Sequence, residues 1–376
     1  MMDKKLKIGV LFGGRSGEHE ISLLSARSIL AALDPQKYTV TQIGITHEGD
    51  WLVGENVHEK MSAGLSPGNS VDLVSATILP TPSWKGLYQI RQSQTGQLLE
   101  KLSDLDVVFP VLHGTFGEDG TIQGLLELAE IAYVGAGVVG SAVGMDKAIC
   151  KDVLRANGIP QVESILVLRK TIESDINDVV HRAEAMSPYP YFTKPANLGS
   201  SVGITKCSNR NELIAGLVDA SRYDRRILVE RGLEAREIEV SVLGNSDPVA
   251  SVPGEILPSR EFYSYEAKYI DDRSELYIPA PISFELSQQI RDYAVRAFKA
   301  VDCAGMARVD FLLDKVSGEL YLNEINSIPG FTQISMYPKL WEASGLPFND
   351  LVDRLVELAL ERRKERDLTE WRFIRS

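Results

Sequence analysis

Cysteine is scarce in this chain of 376 residues: Cys150, Cys207 and Cys303 are odd in number, far apart and in no CxxC pair. Neither a disulfide framework nor a zinc site is therefore encoded, and the three read as core or helix positions. Long apolar runs are missing as well. The longest uncharged apolar stretch, Ile131 to Met145, is short and carries four glycines, so no membrane span is expected. Near the start, the apolar run Leu6–Phe12 gives way to glycines and charges too soon for a signal-peptide core, which points to the cytoplasm. Positive charge is in deficit. The 40 Lys and Arg against 52 Asp and Glu leave a net charge of −12, which disfavours a nucleic-acid partner. The one basic cluster, ERRKER at 361–366, ends an amphipathic segment and reads as a solvated helix end. Neither a solenoid or collagen period nor a Walker A string GxxxxGK[ST] occurs, so any phosphate loop here belongs to another fold.

What is present is length for two or three domains, with 44% apolar and 24% charged residues, the range of soluble globular chains. Strand patterns at Leu6–Phe12, Val40–Ile45 and Asp106–Leu112 alternate with a helical pattern at Ile21–Leu33, which predicts an α/β parallel sheet covered by helices. From about Met61 to Leu99, prolines and scattered Gly and Ser break the pattern; the segment reads as a surface insertion with little core. A helix near Met145–Asn157, stopped by Gly158 and Pro160, opens a second domain near residue 140. It continues with a strand at Ser164–Leu168, a helix at Glu173–Met186 and a strand at Tyr191–Lys194. Beyond Ile227 strands dominate, followed by a long loop through Pro253–Pro281 and a helix at Phe284–Val301. Met306–Leu313 and Glu319–Asn326 form a hairpin, and two helices close the chain.

The hairpin carries the most chemical pattern. Arg308 and Asp310 lie two apart on one strand, Glu324 and Asn326 two apart on the other, so each pair shares a face opposite the apolar residues. A turn around Lys315–Gly318 sets the strands side by side. Asp310, Glu324 and Asn326 then offer hard oxygens to one spot, as magnesium prefers when it also keeps waters and phosphate oxygens. The solvent face of an ordinary hairpin is the competing reading, but the Pro-Gly turn in NSIPGFTQIS directly after the acids offers a backbone N–H close to a reacting group. Lys194 ends a strand and runs into the glycine-spaced loop ANLGSSVG, which suits phosphate cradling or a plain flexible linker. Gly135, Gly137 and Gly140 match GxGxxG, the dinucleotide fingerprint, but late in the sheet and not after the first strand, so NAD binding is disfavoured. Strand ends at GGRSGEHE (13–20), with Glu18, and at HGTFGEDG (113–120), with His113 and Glu118, place two polar clusters at neighbouring carboxyl ends, the usual edge of a ligand crevice.

In order, GGRSGEHEIS, HGTFGEDG, MDK, KPANLGSSVG, the residues near Glu237, YSYEAKY, GMARVDF and NEINSIPGFTQISMYPKLW resemble the D-alanine–D-alanine ligases of the ATP-grasp superfamily, over nearly the whole chain. The resemblance implies three domains: residues 1–140, an open parallel-sheet substrate domain; 141–232, a small central domain; and 233–376, a C-terminal domain with the metal site. It implies ATP-dependent joining of two D-alanines through D-alanyl phosphate, releasing ADP and phosphate, for cytoplasmic peptidoglycan synthesis, by a homodimer. ATP binding falls to Lys147, Lys194, Ser201, Glu230, Glu237, Lys268 and Asn323, with the loop 199–203 closing over the phosphates. Two Mg2+ or Mn2+ ions fall to Asp310, Glu324 and Asn326. Glu18 would hold the first substrate's ammonium in a network with Ser200 and Tyr269. Arg308 and the Gly330 N–H would stabilise the tetrahedral intermediate, Ser335 with Met336 would take the second carboxylate, and His113 and Glu118 would support the site.

Tyr269 goes, within the family, with D-alanine as second substrate, and so disfavours a D-alanyl-D-lactate ligase. Arg231 departs from the lysine or glutamine of many relatives, at a position the family uses mostly through its backbone. A nucleotide-binding module without ligase activity is the reading from another class; it would be marked by loss of Arg308, Asp310, Glu324 or Asn326, all of which are present.

Overall fold

The computed structural model describes residues 5–66, 68–94, 96–199, 202–257 and 275–370. Ser200, Ser201, Lys268 and Tyr269 fall outside them. The first apolar run forms β1 (Leu6–Gly13), buried on both faces because parallel neighbours flank it and helices cover it. At its end Gly13 has φ +87°, and a Cβ there would lie 2.2 Å from the Ile45 carbonyl oxygen, so only glycine can turn the chain into α1 (His19–Ala32). Then come β2 (Tyr38–Ile45), β3 (Trp51–Val53), α2 (Val57–Ser62), β4 (Val74–Ile78), β5 (Leu87–Ser93), β6 (Gly96–Ser103), β7 (Val107–Val111), α3 (Thr121–Leu128), β8 (Ala132–Tyr133) and α4 (Val138–Met145). They build an eight-stranded sheet in the order β6-β5-β4-β3-β2-β1-β7-β8.

The stretch from Met61 to Leu99, expected to have little core, instead continues this sheet as an antiparallel extension. Ala76, Ile78, Leu87 and Tyr88 are buried there, joining Leu11, Ile43 and Val108. Pro80 and Pro82 sit between β4 and β5, where they interrupt the periodicity without preventing pairing.

Next follow α5 (Lys147–Ala156), β9 (Ser164–Leu168), α6 (Arg169–Met186), β10 (Tyr191–Pro195), β11 (Thr205–Cys207), α7 (Arg210–Tyr223) and β12 (Arg226–Arg231). The strands form an antiparallel sheet, β11-β10-β12-β9. Tyr191, Ile227 and Val229 point to α6 and α7, which leaves the alternate residues Phe192, Lys194 and Glu230 for the opposite face.

The remainder comprises β13 (Ala235–Gly244), β14 (Val249–Ala250), β15 (Gly254–Leu257), β16 (Glu275–Tyr277), α8 (Phe284–Ala300), β17 (Gly305–Asp314), β18 (Leu320–Asn326), α9 (Met336–Ala343) and α10 (Phe348–Asp367). Strands β15 and β16 correct the expected long loop: its two ends pair with each other, and β15 with β13. The predicted hairpin is present, with Arg308 opposite Asn326 and Asp310 opposite Glu324.

The terminal helix returns to the first sheet. Leu351, Val352, Leu355 and Val356 of α10 are buried with Ile8, Val10, Val107 and Phe109. ERRKER is the solvated helix end expected, with Glu361, Lys364, Glu365 and Arg366 exposed, yet it is also anchored: half-buried Arg362 donates to the Gly135 and Tyr133 carbonyls and stacks 4.2 Å from the Tyr133 ring, while Arg366 pairs with Glu127 at 2.8 Å. The GxGxxG glycines serve packing. A Cβ on Gly140 would lie 2.5 Å from the Asp302 carbonyl oxygen, so the motif lets two backbones approach. The three cysteines are buried and unpaired. Among the described residues no helix is long and apolar enough to cross a membrane.

Candidate active site

The three sheets meet around a cavity of about 840 Å³, within the size range of small-molecule sites. Each sheet contributes one wall.

The first wall is built at the carboxyl ends of β1 and β7. Glu18 precedes α1 as its N-cap residue and is 7% exposed, lining the cavity. Its Oε2 is lodged between two backbones: an added Cβ would meet it at 2.5 Å from Gly114 and at 2.7 Å from Gly199. His113 is buried, with Nδ1 2.9 Å from the Ile328 carbonyl and Nε2 3.0 Å from Ser25 Oγ. A carbonyl can only accept, so Nδ1 carries the proton and Nε2 accepts from Ser25, whose oxygen accepts the Phe331 N–H at 3.2 Å. Burial pushes the imidazole's pKa down, the nearby Glu18 charge opposing in part, so the ring is neutral. Glu118 accepts the Gly114 N–H at 2.8 Å and the Ile328 N–H at 2.9 Å. His113 and Glu118 thus tie the turn bearing Gly330 to the first sheet.

Burial, and then the Glu18 charge, push the Glu118 carboxyl up to about 8, against the two N–H groups that favour its charged form. A carboxyl raised in the folded state binds more protons there than in the unfolded chain, so its contribution to stability falls as pH rises from about 4.5 to about 8. Wild type should therefore lose stability relative to Glu118→Gln across that window, by a few kcal/mol in all. Urea midpoints of both proteins at a series of pH values check this; a constant gap would refute it.

The second wall comes from the central sheet and α5. Asp146 caps α5, accepting from the Ala148 and Ile149 N–H groups at 3.1 and 3.0 Å, and is itself gripped by Arg226. That cap sets Lys147 at the cavity, its Nζ donating to the Leu198 carbonyl at 2.7 Å. Lys194 and Glu230, on neighbouring strands, form an ion pair of 2.5 Å.

The third wall is the hairpin with β13. Arg308 donates a fork to Asp310, Nε to Oδ1 at 2.8 Å and Nη2 to Oδ2 at 2.7 Å, and its Nε lies 3.0 Å from Glu239 Oε2. Asn326, which lines the cavity, donates through its amide nitrogen to Asp310 at 2.9 Å, so its amide oxygen keeps its acceptor capacity. A bulge opposite Asp310 and Phe311 breaks the alternation, so the consecutive residues Asn323 and Glu324 both line the cavity, with Glu237 on β13. Among the described residues no three His, Cys, Asp or Glu side chains cluster as a metal site. The hairpin offers two carboxylates and an amide, a set that suits a hard cation whose remaining ligands are waters and phosphate oxygens.

Gly330 reaches the cavity edge, and Ser335 lies just beyond: a Cβ on Gly330 would be 3.1 Å from Ser335 Oγ, which accepts the Thr332 N–H. The Met336 side chain is turned into the core with Ile256 and Leu340, so it could meet a ligand only through its backbone. Two charged residues escaped the sequence reading. Glu239 was signalled by the Glu-Ile-Glu alternation inside an apolar strand, and Lys151, paired with Glu230 at 2.6 Å, by its position one helical turn after Lys147.

Comparison with known proteins agrees with this architecture. The family described as D-ala D-ala ligase N-terminus matches residues 7–136, and D-ala D-ala ligase C-terminus matches residues 153–357. The chain is 52% identical over 369 residues to a D-alanine–D-alanine ligase of Heliobacterium modesticaldum, covering 97% of this chain and 98% of that one. It is 50% identical over 365 residues to one of Natranaerobius thermophilus, covering 97% of each. Among solved structures, VanG D-Ala:D-Ser ligase from Enterococcus faecalis superposes with a TM-score of 0.83 at 36% identity, over 95% of this chain and all of that one. The D-alanine–D-alanine ligase of Coxiella burnetii gives 0.79 at 40% identity, over 96% of each. With both halves matched and half of all residues shared along its length, this chain belongs to the D-alanine–D-alanine ligase family and has the ATP-grasp fold.

Proposed function

We propose that the protein joins two D-alanine molecules into D-alanyl-D-alanine through D-alanyl phosphate, using ATP and releasing ADP and phosphate, in cytoplasmic peptidoglycan precursor synthesis. The observation that carries this reading is one cavity whose walls separately hold a buried carboxylate, lysines and an arginine beside paired acids. A free carboxylate is a poor acylating agent, so activation must come from phosphoryl transfer, where positioning and charge neutralisation matter more than a protein nucleophile. Bound ATP, with two Mg2+ or Mn2+ ions, supplies the phosphoryl group and offsets the charge that develops as it moves.

On this reading Glu18 binds the ammonium of the first D-alanine, with Ser200 and Tyr269 linking it to the closing loop. Lys147, Lys194 and Ser201 hold phosphates. Glu230, Glu237, Lys268 and Asn323 complete the nucleotide site, and Asp310, Glu324 and Asn326 hold the cations. Arg308 and the Gly330 N–H stabilise the oxyanion formed when the second amine attacks, and Ser335 with the backbone of Met336 receives the second carboxylate. His113 and Glu118 keep the Gly330 turn in place. The division into domains 1–140, 141–232 and 233–376 is part of the proposal, supported by the three sheets; so is a homodimer, which light scattering tests.

The deciding experiment measures phosphate release with D-alanine alone, and with D-alanine plus D-lactate or D-serine, identifying products by mass. One dipeptide per phosphate from D-alanine alone supports the reading; product only from a mixture would make this a different ligase. ATP binding without phosphate release would make it a non-catalytic module. Tyr269→Phe is expected to raise the D-lactate product relative to the dipeptide in a mixed-acceptor assay, and an unaltered ratio counts against Tyr269 as the selector.

A further inference from the structure

Lys151 lies one turn after Lys147 on α5, on the side turned into the protein, and its side chain is 4% exposed. Its ammonium pairs with Glu230 Oε2 at 2.6 Å, while Lys194 takes the other oxygen, Oε1, at 2.5 Å. Glu230 sits between them, itself 2% exposed. Burial alone would raise the Glu230 pKa, but the two lysines outweigh it and hold it at about 2, so the carboxylate is charged throughout the neutral range. Three ionised groups so deeply buried are a poor device for stability, because desolvation offsets most of their attraction, and aliphatic side chains could fill the same space. Their arithmetic of charge is more telling. A lone Lys194–Glu230 pair would be neutral and would add nothing to the attraction that Lys147, on the same wall, exerts on a polyphosphate. With Lys151 the trio carries one net positive charge, and Lys194, the most exposed of the three at 13% and a lining residue of the cavity, presents it.

We propose that Lys151 is a positioning residue of the nucleotide site: it shares the Glu230 carboxylate so that Lys194 is held in place without being electrically cancelled. The proposal deepens the ATP-site reading above and rests on it. It predicts that nucleotide affinity follows the net charge of the trio and not the integrity of its salt bridges. Lys151→Met makes the trio neutral and should weaken MgADP binding by about tenfold. Adding Glu230→Gln restores one positive charge while removing both ion pairs, and should bring the affinity back to within about threefold of wild type.

Calorimetric titration of MgADP into wild type, K151M and K151M/E230Q, each checked for folding by its thermal midpoint, tests this. Recovery in the double variant supports the proposal, since a structural brace would make it at least as poor as the single one. If K151M does not fold, the double variant decides alone: affinity near wild type supports the charge account, and a tenfold loss overturns it. Wild-type binding with unchanged affinity in K151M overturns the proposal alone. Failure of wild type to bind MgADP would overturn the nucleotide-site reading and the proposal with it.

Discussion

Arg308→Ala is expected to lower turnover by roughly 100-fold or more while leaving nucleotide affinity within about twofold. The reason lies in how the guanidinium is held. Arg308 and Asp310 are two apart on β17 and share its cavity face, and Glu239 enters the same face from β13, diagonal to Arg308 in the register. Two carboxylates fix the fork from different directions, at 2.7 to 3.0 Å, so no reorganisation is needed when negative charge forms on a substrate oxygen. In the role proposed for Arg308, such a donor acts on the transition state and little on the bound ground state, which places the expected loss in kcat. Truncation also leaves Asp310 and Glu239 without their shared cation, so a drop in thermal midpoint should accompany it. Arg308→Lys separates the two effects. A lysine keeps the charge but not the fork, so it should recover much of the stability and little of the rate. Steady-state rates and MgADP titration of both variants check this, and unchanged turnover in R308A would remove Arg308 from the chemistry.

The second large effect comes from a residue without a side chain. Gly114→Ala is expected to lower kcat/KM for D-alanine about 100-fold, because its methyl group would sit 2.5 Å from Glu18 Oε2 and force that carboxylate aside. Gly114 has φ +73°, so the substitution also costs about 1–2 kcal/mol of backbone strain, too little to unfold a protein of this size. Displacing Glu18 by about an ångström misaligns the carboxylate proposed to meet the substrate ammonium, and the Gly199 backbone on its other side leaves little room for it to settle elsewhere. Gly124→Ala is the control: it lies in α3 with nothing within 4 Å of the new methyl, and should leave activity intact. Equal kinetics for the two variants would show that the placement of Glu18 is not critical.

Much of the architecture was legible because local pattern and tertiary demand agree. The continuous apolar run of β1, the alternation in β17 and β18, and the glycines after β1 are each imposed by the setting in which they end up, whether buried strand, one-faced sheet or tight turn. Reading failed where partners are distant in sequence. Pro80 and Pro82 suggested a coreless insertion, yet the strands on either side pair with each other and extend the first sheet. The ends of the segment 253–281 pair across a gap in sequence that no local period reveals. ERRKER is the exposed helix end its composition suggests, but the anchoring of Arg362 and Arg366 on a strand and a helix more than 200 residues earlier could not be read from it.

The sequence by itself determined the chemistry on offer: which oxygens, lysines and glycines exist, in what order, and, through their resemblance to a family, what reaction they serve. Only the tertiary structure decided their pairing. That Glu18 is wedged between Gly114 and Gly199, that Glu239 shares Arg308 with Asp310, and that Lys151 divides Glu230 with Lys194 depends on three sheets converging on one cavity. Charge interactions act over a few ångströms of space whatever the separation along the chain, so no spacing rule within one segment could have shown them.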